Sequence, residues 1–177
     1  MITVIFAHPH RSRSVAHRAL LDAIAGLPAV AVRSLYDLYP DFAIDAAQER
    51  RALERTRLVV WQHPLYWYGA PALLKLWFET VLVRGWAFGS GGTALQGRDC
   101  LWVTTTGGNA DAFTDAGKHA HPFEAFVPPI RQTACFCGMV WHEPVVVMGS
   151  HRLASEELQQ HAAAYRRRLE SYLAHHA

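Results

Sequence analysis

The chain has 177 residues, about one domain's worth, and its apolar share of 51% and charged share of 18% argue against disorder and can cover a sheet on both faces. The formal net charge is +2 and the Lys and Arg residues are scattered, which excludes the basic stripe of a nucleic-acid binder. Met1 to Phe6 is too short for a signal-peptide core and no later run approaches the ~20 apolar residues that span a bilayer, so one soluble, cytoplasmic domain over residues 1–177 is expected.

Met1 to Phe6 is a continuous, β-branched apolar run, the mark of a central strand buried on both faces, and it ends at Ala7-His8-Pro9. Ser14 can cap the next helix, on which Val15, Ala19, Leu20, Ala23 and Ile24 recur at helical spacing until Gly26 and Pro28 stop it. Val30 to Leu35 reads as a second strand, and Tyr36 to Phe42 has no clear period. Asp45 caps a polar helix to about Arg55, and Leu58 to Gln62 forms a short strand ending at His63-Pro64. Pro71 opens a helix whose face carries Leu73, Leu74, Trp77, Phe78 and Val81.

Five glycines from Gly85 to Gly97 mark an irregular loop, and Cys100 to Thr105 is a fourth strand closed by Gly107-Gly108. Pro128-Pro129 start a helix that Gly138 stops, Trp141 to Met148 is a fifth strand, and Ser155-Glu156-Glu157 open a last helix with Arg166 to Arg168 on its solvent side. Cys100, Cys135 and Cys137 have neither redox nor zinc spacing and read as reduced, buried small hydrophobes. Strands alternating with helices predict an α/β fold: a flavodoxin-like three-layer sandwich around a five-stranded parallel sheet in the order 2-1-3-4-5.

In such a sheet ligands sit beyond the carboxyl ends of the strands, where the loops after strands one, three and four converge. The first, His8 to Ser14, runs into a helix N-terminus with two arginines and two serines, a setting for a phosphate. The second, His63 to Pro71, offers three adjacent aromatic rings, Tyr66, Trp67 and Tyr68, able to stack on a planar ligand. The third, Thr104-Thr105-Thr106-Gly107-Gly108-Asn109, permits a tight turn and close backbone approach. Each also has an ordinary reading, respectively a capped helix with solvated arginines, a loop folded onto an apolar shelf, and a plain turn.

With these loops in place, the sequence resembles the NAD(P)H:quinone oxidoreductase family, in particular the short bacterial ancillary subunits of glutathione-regulated potassium-efflux systems. The likeness covers nearly the whole chain and rests on Ala7-His8-Pro9, Ser34 to Phe42, Trp61 to Pro64, Trp67-Tyr68, Leu73 to Trp77, Gly85 to Gly89, Gly91 to Leu95 and Thr105 to Gly108. The resemblance implies FMN, with FAD as the alternative, contacted by His8, Ser14, Val15, Ala16, His17, Leu65, Tyr66, Trp67, Tyr68, Thr105, Thr106, Gly107 and Gly108. It implies NAD(P)H as donor, a quinone as acceptor and a homodimer, for which the apolar helix around Trp77 is one candidate surface and core packing the other explanation. It also implies a potassium-efflux transporter partner that would hold the protein peripherally at the inner membrane.

This chain departs from the family pattern in having Tyr66 where Gln often precedes the Trp and His17 where the first helix often carries Asn. Larger quinone reductases place a Tyr and a His after the third loop to take up charge. Here those positions correspond to Phe113 and to His119 or His121, and the Ala120-His121-Pro122 context selects His121.

Two rival readings remain. A strand followed by Ala-His-Pro also opens zinc deacetylases, but no carboxylate follows His8, and His119-x-His121 is the one other close pair in the body of the chain, which argues against a metal. The terminal His175-His176 pair reads as a solvated tail. Alternatively the protein serves mainly as a regulatory subunit in which flavin is structural or a redox sensor.

Overall fold

The computed structural model describes residues 1–176. Five strands, β1 (Ile2–Phe6), β2 (Val30–Ser34), β3 (Leu58–Pro64), β4 (Asp99–Thr105) and β5 (Val140–Val147), form one parallel sheet in the order β2-β1-β3-β4-β5. Six helices connect or flank them: α1 (Val15–Ile24), α2 (Leu35–Leu38), α3 (Ala46–Leu53), α4 (Ala72–Val81), α5 (Pro128–Phe136) and α6 (Ser155–His175). The flavodoxin-like architecture expected from the alternation of elements is thus the observed one.

The layering follows from the pleat, because successive side chains of a strand point to opposite faces. On one face Ile2, Val4 and Phe6 join Leu58, Val60, Leu101 and Val103 beneath α1 and α6, which contribute Leu20, Ile24, Ala162, Tyr165 and Leu169. On the other, Ile5, Val59, Trp61, Cys100 and Trp102 pack against α3, α4 and α5 through Leu53, Leu73, Trp77, Phe78, Ile130 and Ala134. Trp61, Trp77 and Trp102 are fully buried. Each removes about 150–250 Å² from water, worth on the order of 4–6 kcal/mol. The apolar face of α4 around Trp77 is therefore core, not a free surface.

A second device locks this side. Glu49 of α3, without solvent exposure, pairs with Arg33 of β2 and accepts from the indole N–H of Trp77 at 3.0 Å and from the Tyr39 hydroxyl. A buried carboxylate needs such saturation to remain buried.

Several boundaries differ from expectation. Strand β3 continues through His63 and Pro64 because it pairs with Thr104 and Thr105 of β4, β4 starts at Asp99, and β5 runs Val140–Val147. The stretch without a period contains the single turn α2, too short for any periodicity to show. Cys100 and Cys137 are buried but Cys135 is exposed, on the outer face of α5. Arg166 is not merely solvated: its guanidinium donates to the Ala23 carbonyl at 2.7 Å, tying α6 to the end of α1. His175 belongs to α6 and the His176 ring stacks on Tyr172 at 4.2 Å, so the terminal pair is exposed to solvent, as expected, but ordered against α6. Among the described residues no helix is long and apolar enough to cross a membrane.

Candidate functional site

Strands β1 and β3 are neighbours whose following helices leave to opposite faces, so their loops splay apart and leave a crevice at the carboxyl edge. Backbone bonds from Ala7 N–H to the Gln62 carbonyl, Leu65 N–H to Thr105 and Thr106 N–H to Val147 carry the loops outward in step. Two contiguous chambers result, sharing Leu65 and Gly107, of ≈ 430 Å³ and ≈ 400 Å³. Both volumes lie within the about 300–1,000 Å³ of small-molecule sites.

The first chamber sits over the start of α1. Ser14 caps the helix by accepting the His17 N–H at 3.2 Å. Arg13, Ser14, Val15 and Ala16 border the space, and the last two occupy helix positions whose N–H groups have no intrahelical partner. Arg11 is drawn away into an exposed pair with Asp37 at 2.7 Å, which leaves Arg13 as this loop's arginine at the chamber. The His8 ring also borders it and accepts the His10 N–H on Nδ1 at 3.0 Å. Burial, with His10 and His151 nearby, pushes His8 down to about 4, so it is neutral near pH 7 with its proton on Nε2.

The second loop is a two-residue hairpin. Tyr66 and Gly69 exchange both backbone hydrogen bonds, at 3.1 and 3.0 Å, while Trp67 and Tyr68 sit at φ +49 and +63. Consecutive positive φ values suit Gly or Asn, and two bulky aromatics there store on the order of 1–3 kcal/mol each. The result is to lift Trp67 clear of the surface, 95% exposed, at the mouth of the second chamber. Tyr66 turns the other way, edge-on to His8 at 5.9 Å. One loop thus furnishes both chambers.

The third loop forms the shared floor. Thr105 borders the first chamber and Gly107 both, while Thr106 and Gly108 border the second, where the Thr106 hydroxyl donates to the Gly108 carbonyl at 2.6 Å. A Cβ on Gly108 would lie 2.8 Å from His119 Nε2 and 3.2 Å from the Phe113 ring, so glycine here is a packing requirement. Phe113 and His119 stack at 4.4 Å and line the second chamber beside Tyr68.

Two sequence-derived site residues lie elsewhere. His121 is exposed, its ring 6.4 Å from Phe126, and the residue on the chamber wall is His119. Gly108 closes on His119, a tertiary contact that the Ala-His-Pro context could not show. The His17 side chain is fully buried beneath the floor. Conversely, Ser150, His151 and Arg152 after β5, and Lys118, border the chambers and were missed, although the first three follow a strand at the same carboxyl edge. Among the described residues no carboxylate borders either chamber, and Arg13, Lys118 and Arg152 bias the site toward anions. Among the described residues no three His, Cys, Asp or Glu side chains are arranged to hold a metal ion.

A helix N-terminus at one end, an aromatic chamber at the other and a glycine-lined floor between them lie at the carboxyl edge of a flavodoxin-like sheet, where ligands of such sheets sit. The chain belongs to the flavodoxin-like fold family, whose model matches residues 1–169. Among its relatives is the glutathione-regulated potassium-efflux system ancillary protein KefF of Enterobacter sp. (strain 638), 46% identical over 169 residues, 96% of this chain and 95% of that one. General stress protein 14 of Treponema denticola, solved in complex with FMN, is 33% identical with a TM-score of 0.90, covering 96% of this chain and 98% of the other. An NADPH-quinone reductase from P. pentosaceus is 28% identical with a TM-score of 0.85, over 94% and 95% of the two chains. The resemblance read from the sequence motifs is borne out.

Proposed function

We propose that the protein is an FMN-dependent NAD(P)H:quinone oxidoreductase. The observation that carries this reading is the pair of contiguous chambers, one over the N-terminus of α1 and one walled by aromatic rings. The FMN complex of the Treponema denticola relative and the activity named for the P. pentosaceus relative support it.

The residues fit FMN. The first-turn N–H groups of Val15 and Ala16, with Arg13 and the α1 dipole, are suited to its phosphate, and Ser14 fixes the turn that presents them. Leu65 to Tyr68 and Thr105 to Gly108 are suited to its ring, for which Gly108 leaves room. When bound, FMN supplies two-electron chemistry, accepting a hydride from NAD(P)H and passing two electrons to a quinone that leaves as hydroquinone after taking up two protons. Trp67, Tyr68 and Phe113 provide the apolar wall that orients donor and acceptor and excludes water. Phe113 has no proton to give, and His119 is the ring placed to hold one. Lys118 and Arg152, which border the second chamber, are suited to the phosphates of the dinucleotide.

The test is the visible spectrum after reconstitution with FMN, followed by NADPH or NADH and excess menadione. Bands that bleach and then recover support the reading; no FMN binding would end it.

The 46% identity to KefF favours an additional role as the ancillary subunit of a potassium-efflux transporter, held on the cytoplasmic face of the inner membrane through that partner. Saturating FMN binding without bleaching, together with co-purification with the transporter, would move the weight to this role. The homodimer belongs to the same proposal and is read by light scattering.

A further inference from the structure

We infer that His17 is a positioning residue, which through its Nε2–H turns the Thr105 hydroxyl into a hydrogen-bond donor aimed at the first chamber, with Gln62 and Tyr165 fixing its tautomer from behind. The inference rests on the flavin reading above and adds to it a residue that touches no ligand.

The chain begins in the core. Tyr165 of α6, fully buried, donates its hydroxyl proton to Gln62 Oε1 at 3.2 Å. The remaining amide nitrogen of Gln62 lies 3.4 Å from His17 Nδ1. An amide N–H can only donate, so Nδ1 accepts and the neutral imidazole carries its proton on Nε2. That nitrogen stands 3.1 Å from Thr105 Oγ1. A hydroxyl that accepts on one side has its own proton free for another, and Thr105 borders the first chamber.

Two features keep the arrangement from inverting. Burial, with His8 and His63 nearby, holds the His17 pKa well below its ordinary value, so Nδ1 stays an acceptor throughout the neutral range. The rings of His8 and Phe6, at 5.3 and 5.6 Å, fix the imidazole plane. Gln62, His17 and Tyr165 are buried polar side chains where aliphatic ones would pack the core more simply, and all three are hydrogen-bonded. A satisfied network of this kind specifies orientation.

The experiment is FMN titration by fluorescence quenching on the full chain, with the flavin midpoint potential as a second readout. Thr105→Val and His17→Leu should each weaken FMN binding about three- to tenfold, the worth of one hydrogen bond. The double variant should bind no more weakly than Thr105→Val alone, because both changes remove the same donor. His17→Gln, whose Nε2 can replace that of the imidazole, should stay within about twofold of the parent, and Thr105→Val and His17→Leu should shift the potential alike. Losses that multiply in the double variant, or His17→Gln as weak as His17→Leu, would assign His17 to packing alone and overturn the inference. Should His17→Leu fail to fold, Tyr165→Phe gives the same cycle: its loss should vanish in the Thr105→Val background, and a persisting loss overturns the inference. If the parent itself binds no FMN, the flavin reading fails, an outcome distinct from any of these.

Discussion

The phenol oxygen of Tyr68 lies 3.4 Å from Nδ1 of His119, and the two rings meet edge-on with centroids 5.7 Å apart across the second chamber. This contact joins the aromatic hairpin to the segment after β4, and on the function proposed above His119 is the histidine that a bound quinone or nicotinamide would meet. His119→Ala should lower kcat/KM with menadione on the order of tenfold, the worth of one hydrogen bond, and leave FMN affinity nearly unchanged. His121→Ala should leave both as in the parent. Equal losses for the two variants in steady-state assays would remove His119 from the site.

Trp67 combines 95% exposure with a φ of +49, a conformation that glycine adopts freely. Trp67→Gly should therefore leave the stability of the ligand-free protein unchanged or raise it by up to about 1 kcal/mol in urea unfolding. The same change should raise the KM for NAD(P)H or quinone several-fold by removing the apolar wall. Parent-like kinetics would show that the strain serves something other than ligand binding.

Glu49 is a fully buried charge, satisfied by Arg33, Tyr39 and Trp77. Glu49→Ala leaves the Trp77 indole N–H without its acceptor and the Arg33 guanidinium with only Gln48 Oε1, at 3.3 Å, and should cost about 3–5 kcal/mol. The lower end is expected because the Arg33 side chain keeps 18% exposure and can reach water. Glu49→Gln, which retains an acceptor for Trp77, should cost less; the denaturant midpoints of the two variants decide the order.

Burial holds His63 at about 4, with its Nε2 accepting from Trp102 at 2.8 Å, and His8 and His17 are lowered as well. In the unfolded chain each titrates near 6.5. Above that value the neutral form prevails in both states and the full stability is present. As the pH falls from 6.5 toward 4 the unfolded chain takes up protons that the folded one refuses, at up to about 1.4 kcal/mol per unit per group. Unfolding midpoints of the ligand-free protein should be level between pH 7 and 8 and fall through that window. A flat profile there would mean that these rings ionise within the fold.

Much of this protein was legible in its sequence because local rules and burial agree. The short, β-branched, largely apolar run of β1 reads as a strand covered on both sides, and Ser14, Asp45, Pro71 and the Pro128-Pro129 pair mark helix starts by stereochemistry that needs no neighbour. Alternation of strand and helix then leaves few topologies, and the carboxyl edge is where their loops must meet.

What the sequence by itself determined was therefore the architecture and the three loops that make the site. Only the tertiary structure decided which side chains of those loops face the chambers: that His119 and not His121 stands on the wall, that His17 lies under the floor, and that Ser150, His151 and Arg152 complete the rim. The reason is physical. Backbone geometry repeats with a short period that a sequence carries openly, but the direction of a loop side chain is set by contacts between residues far apart in the chain, such as Gly108 with His119 and Thr105 with His17.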